Sequence, residues 1–412
     1  MALSALMSTL VALGVVGQAP APRKLTFDQS IQLSKQHPGH RGLDAALQAR
    51  QAHDAKLSVM ASDPTVSVNP GYRLNPSGSE GLELAVQVSQ SWNLANLGGR
   101  RKESAQRERA ALTAALRADA LTRRVGAARA WIELRVREED ERRVARELEV
   151  AQELAGRLQL GVSSGAVLRA DVAEAKAYTA EIREGQLDAE GGRVHAELDL
   201  AEALGLAPPI EFVTDGPWPS PQLPSEARWP GFIKQAEQLP KVRQAALTRI
   251  AAEAQAKEAD AQGAWQLTTQ MGFIRESPSS HIVSVGVGVK LPIFNASQRS
   301  RSKAAARVAQ ARAQEQAAGR SAGRALAMAL HEVKHERERL AVAKGELLPA
   351  LQELVDLRTR SFQRGQGTIL EMFRAKQRLL QAEHLLNRIE GEVRWVEVKA
   401  WLLLAAMKEG GQ

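Results

Sequence analysis

Two stretches of this chain, 96–160 and 297–363, read as single helices of great length. At 1.5 Å of rise per residue each runs on the order of 100 Å. No compact domain can use such a rod, so its partners must be other long helices laid beside it. The end of the chain carries the matching pattern. Leu379, Ala382, Leu386, Ile389, Val393, Val396, Ala400 and Leu403 step by alternating threes and fours. That 3.5-residue period makes a narrow apolar seam, the signature of coiled-coil packing rather than of a broad core face. Val144, Leu148, Ala151 and Leu154 continue the same logic inside the first long stretch. Aromatic residues are only 4% of the chain, which fits thin helix-on-helix packing better than thick cores.

Strands interrupt this helical pattern. In "VSVGVGVKLPIF" (283–294), valines alternate with serine, glycine and lysine, and "LELAVQVSQSWNL" (82–94) alternates likewise. Two strand pairs are expected, about 65–73 with 82–92 and 265–275 with 282–292, turning through "NPSGSEG" and "ESPSSH". Nine or ten alternating positions suit a tilted strand crossing a bilayer, one side toward lipid and the other toward a lumen. Four strands cannot close a barrel, and open edges are not tolerated in lipid, so several chains must contribute. Three copies give twelve strands, an even number within the usual range. The alternative is a soluble four-stranded sheet packed on helices.

The chain repeats itself. Each strand region leads into a basic, Ala-rich helix start, with Arg100 and Arg301 at equivalent places. "GVSSGAVLRAD" (161–171) corresponds to "GQGTILEMFRAK" (365–376), and each half opens with a short helix ending before a proline. The division is a first repeat, 23–207, with strands within 65–92 and a helical hairpin over 96–206, and a second, 230–408, with strands within 265–292 and a hairpin over 297–407. The joint at 208–229, in a stretch with seven prolines, reads as an extended linker.

Composition excludes some classes. There is no cysteine, hence no disulfide, thiolate chemistry or lipidated N-terminal cysteine. The net charge is +8, but Arg and Glu interleave along the helices, as in "REEDERRVARELE", which describes solvated faces rather than a nucleic-acid site. Residues 1–22 read as a secretory signal peptide: an apolar run too short to span a bilayer ends in small residues, with cleavage expected near Ala19.

Taken together, these motifs resemble the TolC-type outer-membrane efflux proteins. The resemblance rests on the tandem repeat, "LTFDQSIQLSKQHPG", the pair "VSQSWNLANLGGRRKESA" and "VKLPIFNASQRSRSKAA", and the two glycine turns. It implies a mainly α fold with a small β portion: long coiled-coil hairpins forming a periplasmic tunnel, and β-hairpins forming a twelve-stranded outer-membrane barrel in a homotrimer. It implies passive export of drugs, metal ions or other compounds. The implied partners are a periplasmic adaptor, an inner-membrane pump and outer-membrane lipid, with no cofactor. It places Gly161, Ser163, Ser164, Gly365 and Thr368 at hairpin tips that dock the adaptor. Glycine is expected to break the helix there, with Ser164 and Thr368 as N-caps of the returning helices. It places Glu371 at a ring of acidic residues around the periplasmic aperture. Arg374 stands where the family carries another acid, and Gly367 where an arginine braces the closed state.

Two other readings compete. "HEVKH" (331–335) matches H-E-x-x-H, in which His331 and His335 would hold Zn²⁺ and Glu332 would act as general base. It lies midway along a long helix without a third ligand or a pocket, so a zinc peptidase is a remote alternative and no metal site is assigned. No nucleophile–base pair is apparent, and no enzymatic activity is expected. The nearer alternative is a soluble periplasmic coiled-coil scaffold or adaptor. Adaptors usually carry one helical hairpin and lipoyl-like β-domains, whereas two hairpins and two strand pairs favour a duct.

Overall fold

The computed structural model describes residues 23–57, 62–74, 80–163, 167–208, 211–276, 280–292 and 297–410. The expected signal peptide, Ser164, most of the first strand turn and half of the second therefore lie outside the described residues. The N-terminal half contains β1 (Arg23–Thr26), α1 (Phe27–Ser34), α2 (Pro38–Asp54), β2 (Thr65–Arg73), β3 (Gly81–Asn93), α3 (Leu97–Ser163) and α4 (Arg169–Leu204). Strand β4 (Phe212–Asp215) follows. The C-terminal half contains α5 (Trp229–Lys234), α6 (Pro240–Gln262), β5 (Gln266–Glu276), β6 (Ser280–Lys290), α7 (Gln298–Val342), α8 (Leu348–Gln363) and α9 (Ile369–Gly410). The fold is mainly helical with a small β portion.

The junction of strand and rod explains the "LGGRR" segment. Asn96 takes a left-handed φ of 54°, and its side-chain oxygen accepts the Gly99 N–H at 3.2 Å. A Cβ on Gly99 would lie 2.5 Å from the Asn96 amide nitrogen, so only glycine leaves room for this cap. From there α3 runs 67 residues. The second rod is equally continuous but contains a π-helical turn at Ala343–Leu347, between α7 and α8. Pro349 follows at once. Its ring would clash with the carbonyl four residues back in a regular helix, and a wide turn relieves that clash.

Helix α2 is capped by a histidine. The His37 Nδ1 accepts the Gly39 N–H at 3.0 Å and lies 2.6 Å from Arg123 Nη1 of α3. Burial, then the Arg123 charge, lowers the His37 pKa from its ordinary value.

All four long strands join one antiparallel sheet in the order β2-β3-β5-β6. Each expected pair forms, and β3 also pairs with β5, which ties the two halves of the chain together. The linker is more ordered than its prolines suggest. Strand β4 pairs in parallel with β1, Arg23 opposite Phe212 through Thr26 opposite Asp215. Phe212 is fully buried there. Glu138 of α3 accepts the Thr214 N–H at 2.8 Å and the Thr214 hydroxyl at 2.5 Å.

The core is a series of apolar clusters strung along the rods. In one, the fully buried Trp131 donates its Nε1–H to the Leu25 carbonyl at 2.8 Å and meets Phe27 and Trp218 edge-on. In the expected seam of α9, Ala382, Leu386, Ile389, Val393, Val396 and Ala400 are buried, and Leu379 and Leu403 are half-buried. Toward its C-terminal end α9 also buries Val398, Leu402, Leu404 and Ala406, because it packs between α3 and α7.

Candidate functional site

Cross-strand register sorts the sheet into two faces, since directly opposed residues share a side. Val66, Val68 and Tyr72 of β2 oppose Val88, Val86 and Leu82 of β3. Val86, Val88 and Trp92 oppose Phe273, Met271 and Leu267 of β5, which oppose Val283, Val285 and Val289 of β6. This face is mainly apolar across all four strands, interrupted by Gln90 and Thr269 and, toward the end away from the helices, by Arg275 and His281, and it is open to its surroundings, with Val285 78% exposed. Trp92 and Trp265 are exposed at the end nearest the helices. Such aromatics suit a membrane interface.

The opposite face is polar. Ser67 opposes Gln87, Gln87 opposes Gly272, and Gly272 opposes Ser284. Gln87 donates to Gln270 at 2.8 Å, and the Ser91 and Thr268 hydroxyls lie 3.0 Å apart. At the end away from the helices, Arg73 pairs with Glu83 at 2.5 Å and reaches Glu276 at 3.6 Å. The outer edges of β2 and β6 have no strand partner among the described residues. No described helix is long and apolar enough to cross a membrane.

At the far end of the rods, the α3–α4 hairpin and the start of α9 share one cluster containing Leu148, Leu158, Tyr178, Ile369, Met372 and Phe373. Tyr178 and Phe373 stack with ring centres 4.8 Å apart. The Tyr178 hydroxyl donates to Glu147 at 2.8 Å, and burial followed by the Glu147 charge pushes its pKa up. The structure thus brings both glycine turns to one end.

The turn after α8 follows the expected chemistry. Gly365 has φ 72°, and the Gln366 and Gly365 N–H groups donate to the Ser361 and Phe362 carbonyls. This is a Schellman stop, which requires a left-handed residue. Thr368 caps α9, its hydroxyl accepting the Glu371 N–H at 3.3 Å.

The other turn differs from expectation. Helix α3 continues through Gly161 to Ser163, so Gly161 does not end it. Its lack of a side chain serves packing instead: a Cβ there would lie 2.5 Å from Val167 Cγ2. Nor does α4 start near Ser164. It opens at Arg169, where the Asp171 carboxylate accepts the Leu168 N–H at 3.3 Å. Glu371 is exposed and accepts from Arg358 Nη1 of α8 at 3.2 Å, while Arg374 is exposed beside it. Arg358 is the partner that sequence reading missed. It lies 13 residues from Glu371 across a turn, beyond any regular helical spacing.

His331 and His335 are exposed on α7, and Glu332 accepts from Lys399 Nζ at 2.9 Å. Among the described residues no group of three or more His, Cys, Asp or Glu is placed to hold a metal ion.

The fold is an open amphipathic sheet carried on paired rods of about 100 Å, at about 1.5 Å per residue, an arrangement also found in outer-membrane channels of solved structure. The solved structures agree. One describing CusC and its folding and transmembrane channel formation superposes with a TM-score of 0.77 at 15% identity, covering 92% of this chain and 91% of that one. The outer membrane protein VceC of Vibrio cholerae gives 0.74 at 18% identity, with 92% and 95% covered. The open-state MtrE outer membrane channel of Neisseria gonorrhoeae gives 0.72 at 18%, with 92% and 88% covered. These likenesses establish the fold. Residues 234–397 match the family model described as outer membrane efflux protein. A comparison with curated protein sequences finds no match.

Proposed function

We propose that three copies of this chain form an outer-membrane exit duct, passive in itself, serving a tripartite efflux or type I secretion system. The observation that carries this reading is the sheet: mainly apolar on one face, mainly polar on the other, and unpaired at both edges among the described residues. Bilayer lipid fits the first face and an aqueous lumen the second. Strand β2 runs opposite to β6, so the edge of one copy can pair antiparallel with the next, and three copies close twelve strands. The two repeats, 23–207 and 230–408, each supply one strand pair and one helical hairpin to a periplasmic tunnel.

In this reading the turns at Gly161, Ser163, Ser164, Gly365 and Thr368 meet a periplasmic adaptor, which links the duct to an inner-membrane pump. Glu371 and Arg374 lie at the aperture. The Arg358–Glu371 pair tethers the start of α9 to α8, so docking that opens the aperture must move or break that tether. The cargo class is drugs, metal ions or other small exported compounds.

The test is fractionation of the expressed protein with a carbonate wash, then its mass in detergent and its conductance in a planar bilayer. A carbonate-resistant trimer that conducts is expected. A protein released as soluble monomer or dimer would overturn the reading and leave a periplasmic coiled-coil scaffold in its place.

A further inference from the structure

Arginine interrupts an apolar stripe on α3. Ala114, Arg117, Leu121 and Arg124 step by threes and fours, so they share one face of the helix. That face lines a cavity of about 440 Å³, closed on its other sides by Arg243 and Leu247 near the start of α6 and by Glu409 near the end of α9. Pockets of about 300–1,000 Å³ are the size that holds one small organic molecule. On an apolar helix face a guanidinium is out of place unless something balances its charge.

Within the chain that balance is missing. Three guanidiniums line the cavity against one carboxylate. Arg117 and Arg243 make no ion pair or side-chain hydrogen bond among the described residues. Glu409 does little for the third: its side chain is 68% exposed, and its oxygen lies 3.9 Å from Arg124 Nη1, too far for a hydrogen bond. The Arg124 Nε is buried and has no hydrogen-bond partner among the described residues. A buried donor without an acceptor is costly, more so on a charged group. The walls beside it, Ala114, Leu121 and Leu247, are apolar. A ligand that satisfies both features has anionic oxygens for the guanidinium fork and an apolar body for the walls.

We propose that the cavity between α3, α6 and α9 binds a small anionic amphiphile, a carboxylate on an apolar body. The half-buried Arg124 holds the carboxylate, the exposed Arg117 and Arg243 raise the positive potential around it, and the apolar walls take the body. The site draws on both halves of one chain and needs no second copy. It therefore stands apart from the duct reading, and either can fail without the other.

The test is equilibrium dialysis of the full-length chain in nonionic detergent, with a detergent-only blank, against phenylbutyrate and separately against phenylbutanol and acetate. The expected result is one phenylbutyrate per chain, held about tenfold or more tighter than the alcohol or acetate. Arg124→Gln should weaken phenylbutyrate by about tenfold, and Arg117→Gln and Arg243→Gln each by a smaller factor. Thr113 is an exposed residue of the cavity wall, so Thr113→Trp should fill the space and block binding with all three arginines in place. None of these four side chains is buried, so the variants should keep their helical circular dichroism. Equal affinity for phenylbutanol would overturn the anion assignment, and equal affinity for acetate would overturn the apolar one. Phenylbutyrate binding that survives both Arg124→Gln and Thr113→Trp, or no binding at all, would overturn the site.

Discussion

Val285 and Ser284 are neighbours in β6, and the same substitution at each should have opposite consequences. Val285 opposes Met271 on the apolar face, near the middle of the run 283–291, and is 78% exposed in the single chain. Ser284 opposes Gly272 on the polar face. If the apolar face meets lipid, Val285→Arg places a guanidinium near the bilayer midplane, at a cost of about 2–4 kcal/mol per chain. That lowers the folding equilibrium by roughly 30- to 700-fold per chain, since 1.4 kcal/mol is a factor of ten. Ser284→Arg leaves folding nearly intact and narrows the lumen. The assay is urea-dependent folding into lipid vesicles, with single-channel conductance of what assembles. The expected pattern is loss of assembled trimer for Val285→Arg, and normal assembly with reduced cation conductance for Ser284→Arg. A soluble sheet would treat the same highly exposed valine as a free surface position, and arginine there would cost almost nothing. Equal tolerance at both positions would refute the two-faced barrel.

Trp131→Ala should destabilise the protein by about 3–5 kcal/mol from lost packing, read as a lower thermal midpoint and as faster hydrogen exchange in both β1 and β4. Gly365→Ala puts a side chain at φ 72° and should cost about 1–2 kcal/mol, seen as faster proteolysis at the α8–α9 turn. Glu371→Gln removes an exposed ion pair worth about 0.2–1 kcal/mol, so the trimer should survive while conductance or leakage changes; unchanged conductance would take Glu371 out of the aperture. The His37 pKa lies below its ordinary value of 6.5, so the folded state favours neutral imidazole. Its contribution is complete above pH 6.5 and fades as pH falls from there toward the folded pKa, because the unfolded chain takes the proton first. The fall in thermal midpoint between about pH 7.5 and 5.5 should shrink in His37→Asn, where the amide can still cap α2.

The elements that declared themselves in the sequence were those with a repeated signal. Alternation over ten positions marked the strands, a seven-residue period marked α9, and Gly365 with Thr368 marked a helix stop and restart. Strands β1 and β4 gave no such signal. Each is four residues long, and their parallel pairing joins residues 23–26 to residues 212–215, so nothing local records it. The π turn did leave a trace in Pro349, but a proline can also sit at the start of a new helix. Gly161 was misread because glycine serves two ends. It permits a left-handed turn, and it also permits a close approach, which is its use against Val167.

The unpaired edges of β2 and β6 fix the order in which an assembly of three must gain its stability. One chain has two bare strand edges. Two chains joined still have two, because each new seam covers one edge and brings another. Only the last chain removes edges without replacing them, closing two seams in a single event. The first joining makes one seam and leaves two edges bare, whereas the second makes two seams and leaves none, so the pair gains far less than the closed ring. Assembly in the membrane should therefore be all or none, with single chains and closed trimers populated and pairs scarce.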